Sequence, residues 1–302
     1  MSVFAIVIAL LIEQWPVLGE RRGFLPALSR WAIWVERNFN GGEPRHGVIA
    51  WLVAVGPAVL IAVALHAMLD EVSSLLALVF DVLVLYYTIG FRQYGHFFTD
   101  IQLAIRTGDI DRARELISAW RGEATVVRSR EEIIRLTIEE ALVGSHRQVF
   151  GGLLWYILLP GPSGAILYRL ACFLRQRWGG LGTFGRFAEK AFFVLDWPAV
   201  RLTALVFAVV GDFEDAVYCW RTQARGWADP NSGVVLSSGA GAMGVRLGMS
   251  LQGETGPVTR VEVGVGESAD GPFLDSTVGL LWRSIVFWVF LLGLVSVGRL
   301  LV

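Results

Sequence analysis

Residues 47–69 read GVIAWLVAVGPAVLIAVALHAML, a run without a single Asp, Glu, Lys or Arg. A helix needs about 20 apolar residues to cross the hydrocarbon core of a bilayer, so this run is long enough to span one. Pro57 sits inside it and predicts a kink, because proline removes a backbone donor and collides with the preceding turn. Asp70-Glu71 then predicts a tight turn into a second apolar run, 73–91, whose one acid is Asp81. The pair reads as a transmembrane hairpin.

Composition agrees. The 302 residues are 54% hydrophobic and 18% charged, with a mean hydropathy of +0.55. Soluble chains average about 45–50% apolar and about 25% charged, which places this chain among polytopic membrane proteins. A net charge of −1 argues against nucleic acid as a partner, since a phosphate backbone demands a basic surface. Cys172 and Cys219 match no metal or disulfide spacing and read as plain buried thiols. His46, His66, His96 and His146 are too scattered for a zinc cluster. The opening MSVFAIVIALLIEQWP has no basic start and no small-residue cleavage site, so it predicts an uncleaved helix and not a signal peptide.

Residues 92–147 change character and carry Arg92, Arg106, Arg112, Arg114, Arg121, Arg128, Arg130, Arg135 and Arg147. Ile110, Ala113, Leu116, Ile117 and Trp120 recur at helical spacing, with Asp109 placed to cap the helix. Ser129 followed by Glu132 is a capping box that opens another. The segment reads as a soluble helical hairpin, cytoplasmic by its arginines. The loop predicted at 19–46, with Arg21, Arg22, Arg30, Arg37 and Arg45, falls on the same side if the intervening hairpin crosses twice.

Residues 149–174 are apolar but broken by Pro160-Gly161-Pro162. They make either one broken span or a re-entrant hairpin, whose non-helical backbone must be shielded by protein or line a cavity. The hairpin is preferred because it keeps Arg175, Arg177, Arg186 and Lys190 cytoplasmic. Residues 193–211 predict a further membrane segment and 277–302 a terminal one interrupted by Arg283. Between them, 212–275 forms a second polar insert. The fold class is therefore all-α: a polytopic membrane helical bundle of about four to six membrane segments with cytoplasmic helical inserts.

Glu13, Asp81, Asp196, Arg201 and Arg283 lie in or beside apolar segments, where an ionised group normally faces a partner or a polar cavity. For Asp196 and Arg201 the choice is between an interfacial position near the segment's start and a polar cavity open to the cytoplasm. Glu139, Glu140, His146 and Arg147 read either as a metal- or phosphate-handling cluster or as a solvated helix end. Ser145-His146 lies in no recognised nucleophile context.

Residues 230–248 read PNSGVVLSSGAGAMGVRLG. Pro230-Asn231-Ser232-Gly233 is turn chemistry, and the glycines permit backbone conformations closed to other residues. The stretch reads as a connector or as a loop that cradles a ligand, with Arg246 suited to an anion. It is neither a P-loop nor a dinucleotide fingerprint.

The Pro-Asn-Ser-Gly at 230–233 and AGAMGVRLG at 240–248 resemble the cobinamide-phosphate synthase family of cobalamin biosynthesis (CobD/CbiB). RTGDIDRARELI at 106–117, Tyr168-Arg169 and RLTALVFAVVGDFEDAVYCWR at 201–221 add to the likeness, which covers nearly the whole chain. VLDWPAVRL at 194–202 also looks like the related AmpE-type inner-membrane protein. The resemblance implies a bacterial inner-membrane enzyme that joins aminopropanol, or its phosphate, to a propionate carboxylate of adenosylcobyric acid, with ATP and Mg²⁺. It also implies acids that this chain lacks. The Glu-Asn-x-x-Asp cluster falls on Val143, Gly144, Ser145, His146 and Arg147. An Asn and an Asp fall on Cys172 and Arg175, paired acids on Phe192 and Phe193, and a Glu on Leu236.

The expected function is accordingly a diverged, noncatalytic relative, an AmpE-like sensor or scaffold with a retained ligand loop and a membrane-protein partner. The alternative is the amide-forming enzyme itself with acids drawn from Glu139, Glu140 or Asp212, and a transporter comes third. The ligand, a small anion or a corrinoid, is expected at Asn231, Gly233, Gly241, Gly244 and Arg246, with Arg147, Tyr168, Arg169, Asp196 and Arg201. The remaining partner is the lipid bilayer.

Overall fold

A computed structural model describes residues 2–14, 24–89, 91–122, 129–253, 256–258 and 260–301. Arg21, Arg22 and Arg128 lie outside them. In chain order the helices are α1 (Ser2–Gln14), α2 (Phe24–Phe39), α3 (Pro44–Val72), α4 (Ser74–Thr88), α5 (Phe91–Thr107), α6 (Ile110–Arg121) and α7 (Arg130–Ser145). A π-helical turn, His146–Phe150, leads into α8 (Gly151–Leu158), α9 (Ser163–Trp178), α10 (Gly182–Val210), α11 (Phe213–Gln223) and α12 (Pro230–Met243). Four short strands follow, β1 (Val245–Arg246), β2 (Leu251–Gly253), β3 (Gly256–Val258) and β4 (Glu267–Ser268), and α13 (Gly271–Leu301) ends the described chain. β1 pairs in parallel with β4, Val245 opposite Glu267, and β2 pairs antiparallel with β3.

Among the described residues three helices are long and apolar enough to cross a membrane: Pro44–Val72, Gly182–Val210 and Gly271–Leu294. Only 22% of the α3 window is buried, and its outward side chains include Leu52, Leu60 and Ile61. Apolar exposure on that scale suits a candidate membrane span. The hairpin turn falls later than Asp70-Glu71: both acids continue α3, and the break is at Ser73, whose side chain accepts from Leu75 N and caps α4. The loop predicted at 19–46 contains α2, which buries Ala32 and Val35 and leaves Trp31 and Trp34 exposed and stacked 5.2 Å apart.

The chain divides into two compact units. The first comprises residues 1–90 and 147–199. Its core holds Val35, Ala50, Val55, Leu170, Leu174, Trp178 and Phe184. Here α8 and α9 double back on each other: Gly151 faces the Tyr168 ring, and Gly164 faces the Trp155 backbone so closely that neither has room for a Cβ. The Pro160-Gly161-Pro162 break is thus a helical hairpin, with Gly161 at φ +56° making the corner. Polar groups secure it to the 44–88 hairpin. Tyr156 on α8 donates to Asp81 Oδ2 at 2.8 Å, and His66 Nδ1 lies 2.9 Å from Asp81 Oδ1.

The second unit comprises residues 91–146 and 200–302. Asp109 accepts from Arg112 N, and Ser129 accepts from Glu132 N, as their capping positions predict. The segment is three helices, however, and not a hairpin. The third, α7, buries Ile133, Ile134, Leu136, Ile138 and Leu142 among its neighbours α5, α6, α12 and α13. A helix buried on nearly every side is core, not a solvated insert. The predicted segment 193–211 is the latter part of the 29-residue α10, so Asp196 and Arg201 sit in mid-helix and not near its start.

Residues 230–243 are not a loop. They form α12, which starts at Pro230 because proline suits the first helical turn, where its missing N–H costs nothing. It ends at Gly244, in the left-handed conformation at φ +66°. The small residues let backbones approach. A Cβ on Gly241 would stand 2.5 Å from the Asp215 carbonyl oxygen on α11, and one on Gly233 would strike the Ala224 carbonyl. The same tight packing buries Cys219 completely.

Burial pushes the Cys219 thiol up to about 11. Its contribution to stability is therefore intact below the ordinary thiol range and is lost as pH rises toward 11. The reactive species is the thiolate, so native protein at neutral pH should resist maleimide at Cys219 and label only after denaturation in SDS. Rapid native labelling of that residue, located by mass spectrometry, would contradict the packing.

Candidate functional site

The sequence-predicted residues fall into two groups, one in each unit. In the first unit the Tyr168 hydroxyl on α9 donates to Asp196 Oδ1 on α10 at 2.6 Å, and both residues are almost wholly buried, at 1% and 2% exposure. The close approach of α8 at Gly151 holds the Tyr168 ring. Trp155 Nε1 donates to the Leu195 carbonyl at 3.0 Å, fixing α8 beside the turn of α10 that carries Asp196. Arg169 donates to Gln148 Oε1 on the π-helical turn. Such turns insert a residue into a helix and are frequent at functional sites.

Arg147, on the same turn, acts electrostatically on Tyr168 and Cys172, as Arg169, Arg175 and Asp196 act on Cys172. Three guanidinium groups and one carboxylate thus act on Cys172 electrostatically, and the balance is positive. Arginine matches carboxylate and phosphate geometry with two parallel hydrogen bonds. What the cluster can do chemically is hold an anion beside a tyrosine hydroxyl whose proton is committed to Asp196.

In the second unit Asn231 is buried, at 2% exposure, in the first turn of α12. Gly233 and Gly241 are spent on close helix packing, and Gly244 on ending α12. Arg246 on β1 donates to Ser268 Oγ at 3.2 Å and lies 3.6 Å from Glu262 Oε1. Arg201 is half-buried on α10. Asn231 and Arg246 are both in this unit, but the glycines between them form a helix and no phosphate cradle.

Sequence reasoning missed a further cluster. Glu139 is no solvated helix end: it is 4% exposed, accepts from Gly248 N at 2.9 Å and pairs with Arg260. The Arg260 guanidinium also lies over the Trp227 ring, 4.6 Å from its centroid. One turn before Glu139, Arg135 is 6% exposed and donates to Met249 Sδ at 3.1 Å. The signal available was the i, i+4 spacing of Arg135 and Glu139 within a run of isoleucine and leucine; Arg260 offered none.

The family resemblance implies Mg²⁺-bound ATP, and Mg²⁺ is held by carboxylate oxygens and phosphates. At the positions where acids are expected, Leu236 is buried in α12 and Phe192 in α10. Phe192 packs against Tyr168, with ring centroids 5.6 Å apart, and receives the Arg175 guanidinium 5.2 Å from its centroid. A cation–aromatic pair occupies two positions at which acids are expected. Among the described residues no three His, Cys, Asp or Glu side chains converge. The residues at these positions do not fit a carboxylate-held Mg²⁺.

Comparison with known proteins matches the sequence to one family. A family model described as "CobD/Cbib protein" matches residues 6–262. The cobalamin biosynthesis protein CobD of Stutzerimonas stutzeri is 33% identical over 303 aligned positions, covering 97% of each chain. That of Chromobacterium violaceum is 31% identical, covering 95% of this chain and 94% of the relative. No solved structure matches. With a family match across most of its length and relatives aligned nearly end to end, the chain belongs to the CobD/CbiB family.

Proposed function

We propose that this protein acts in cobalamin biosynthesis at the bacterial inner membrane, in the ATP-consuming amide-forming step that joins aminopropanol or its phosphate to a propionate carboxylate of adenosylcobyric acid. The observation that carries this reading is the nearly end-to-end likeness to two relatives named for cobalamin biosynthesis. The positive cluster of the first unit supports it. Arg147 and Arg169 suit a propionate carboxylate or a substrate phosphate, and Asp196 orients the Tyr168 hydroxyl by accepting its hydrogen bond. The three apolar spans fit a multi-pass protein.

Complementation tests the reading: the chain restores cobalamin-dependent growth to a strain deleted for its cobinamide-phosphate synthase. Arg147→Met then lowers amide formation by roughly 10–100-fold, the worth of one charge-assisted hydrogen bond. Failure to complement by protein that reaches the membrane would sink it.

A second reading is a noncatalytic, AmpE-like sensor or scaffold, favoured by the Arg175–Phe192 pair where acids are expected. That reading predicts no complementation and, in the same membranes, retained corrinoid binding.

A further inference from the structure

The second unit holds buried guanidinium donors that its own acceptors do not satisfy. A guanidinium has five N–H donors and no acceptor, and buried polar groups are nearly always paired. Arg135 is more than nine-tenths buried, yet its Nε has no hydrogen-bond partner among the described residues. Its one hydrogen bond among the described residues goes to the Met249 thioether, a weak acceptor. Arg260 gives Nη2 to Glu139, while its Nη1 is a buried atom with no hydrogen-bond partner among the described residues.

The two arginines meet at one place. Arg260 reaches the carboxylate that also accepts from Gly248 N, and Arg135 reaches the side chain of the next residue, Met249. Met249 is the one non-glycine among the described residues with a positive φ, +63°. Strain of this kind persists where the surroundings over-determine it, and it collects at ligand sites. Glu132, one turn before Arg135 on α7, is buried, makes contacts of its own and leaves Arg135 Nε unpaired.

Buried donors without acceptors call for a ligand that is rich in acceptors and carries negative charge. We infer that Arg135 and Arg260, at the Gly248–Met249 corner, form a binding site for an oxyanion, a phosphate or carboxylate group that takes the position beside Arg135 now held by the Met249 thioether. The site is built from residues of the second unit alone and stands whether or not the amide-forming reading does.

The test is a set of melting curves of the full chain in neutral detergent with inorganic phosphate, succinate or phosphatidylglycerol, at ionic strength matched with chloride. At least one of the three should raise the melting temperature of the wild type and leave that of Arg135→Met unmoved. Phosphate or succinate would identify a soluble ligand and phosphatidylglycerol a lipid headgroup, and each supports the site. With nothing added, Arg135→Met should melt roughly 2–4 °C above the wild type, because an uncompensated buried charge is removed. A purely structural arginine would lower it instead.

Should Arg135→Met fail to accumulate, Arg135→Lys keeps the charge without the planar fork and should weaken the apparent affinity about tenfold. No response beyond chloride in the wild type, or full response in either variant, would overturn the proposal.

Discussion

Glu139→Gln should cost the protein about 3–5 kcal/mol of stability, the usual consequence of removing one member of a buried ion pair. The carboxylate is 5% exposed and its partner Arg260 14%, so water replaces little of what is lost. Gln can still accept from Gly248 N, which isolates the effect of charge. The variant leaves the part-buried Arg260 guanidinium without its carboxylate partner. The measurement is a double-mutant cycle in detergent: adding Arg260→Met to Glu139→Gln should recover most of the loss, because it removes the stranded charge. A single variant that melts with the wild type would show that the pair carries no net weight.

Gly241→Ala should be the other large effect, at roughly 3 kcal/mol, the upper end for forcing an extra methyl group into a filled interior. Its new Cβ would lie 2.5 Å from Asp215 O and 2.7 Å from Asp215 C. These are backbone atoms of α11 and cannot swing aside as a flexible side chain can. Gly279→Ala on α13 is the control: nothing lies within 4 Å of its Cβ, and alanine is the better helix former by about 1 kcal/mol. Equal melting temperatures for the two variants would mean that α11 and α12 are not packed as described.

These two residues also show what the sequence made legible. The apolar helices that the sequence places at 47–69 and from 277 onward could be read because a candidate span needs only length and apolarity. The caps Asp109 and Ser129 could be read because capping is local. Gly241 could not, because the same small residues serve a flexible loop and a tightly packed helix, and the difference lies in α11, which the stretch itself does not contain. Glu139 could not, because its partner Arg260 is 121 residues away. Tyr168 is legible as a site residue from the family likeness and Asp196 from its charge in an apolar segment, but their hydrogen bond depends on the fold of the 151–178 hairpin. The acids that the family resemblance leads one to expect are replaced by residues that pack: Phe192 receives Arg175, and Leu236 fills the side of a core helix.

The hydrogen bonds at Asp81 have a consequence for biogenesis. The acid leaves the ribosome 75 residues ahead of Tyr156. At about 5–20 residues per second that is a lag of roughly 4–15 s. During that interval His66 is its one available partner of the two, and a carboxylate in an apolar hairpin is costly to leave half-satisfied. The early hairpin is therefore unfinished until the later one arrives to donate its phenol. Nascent chains halted before residue 156 should be held at the insertion machinery or degraded, and those released after it should settle in the bilayer.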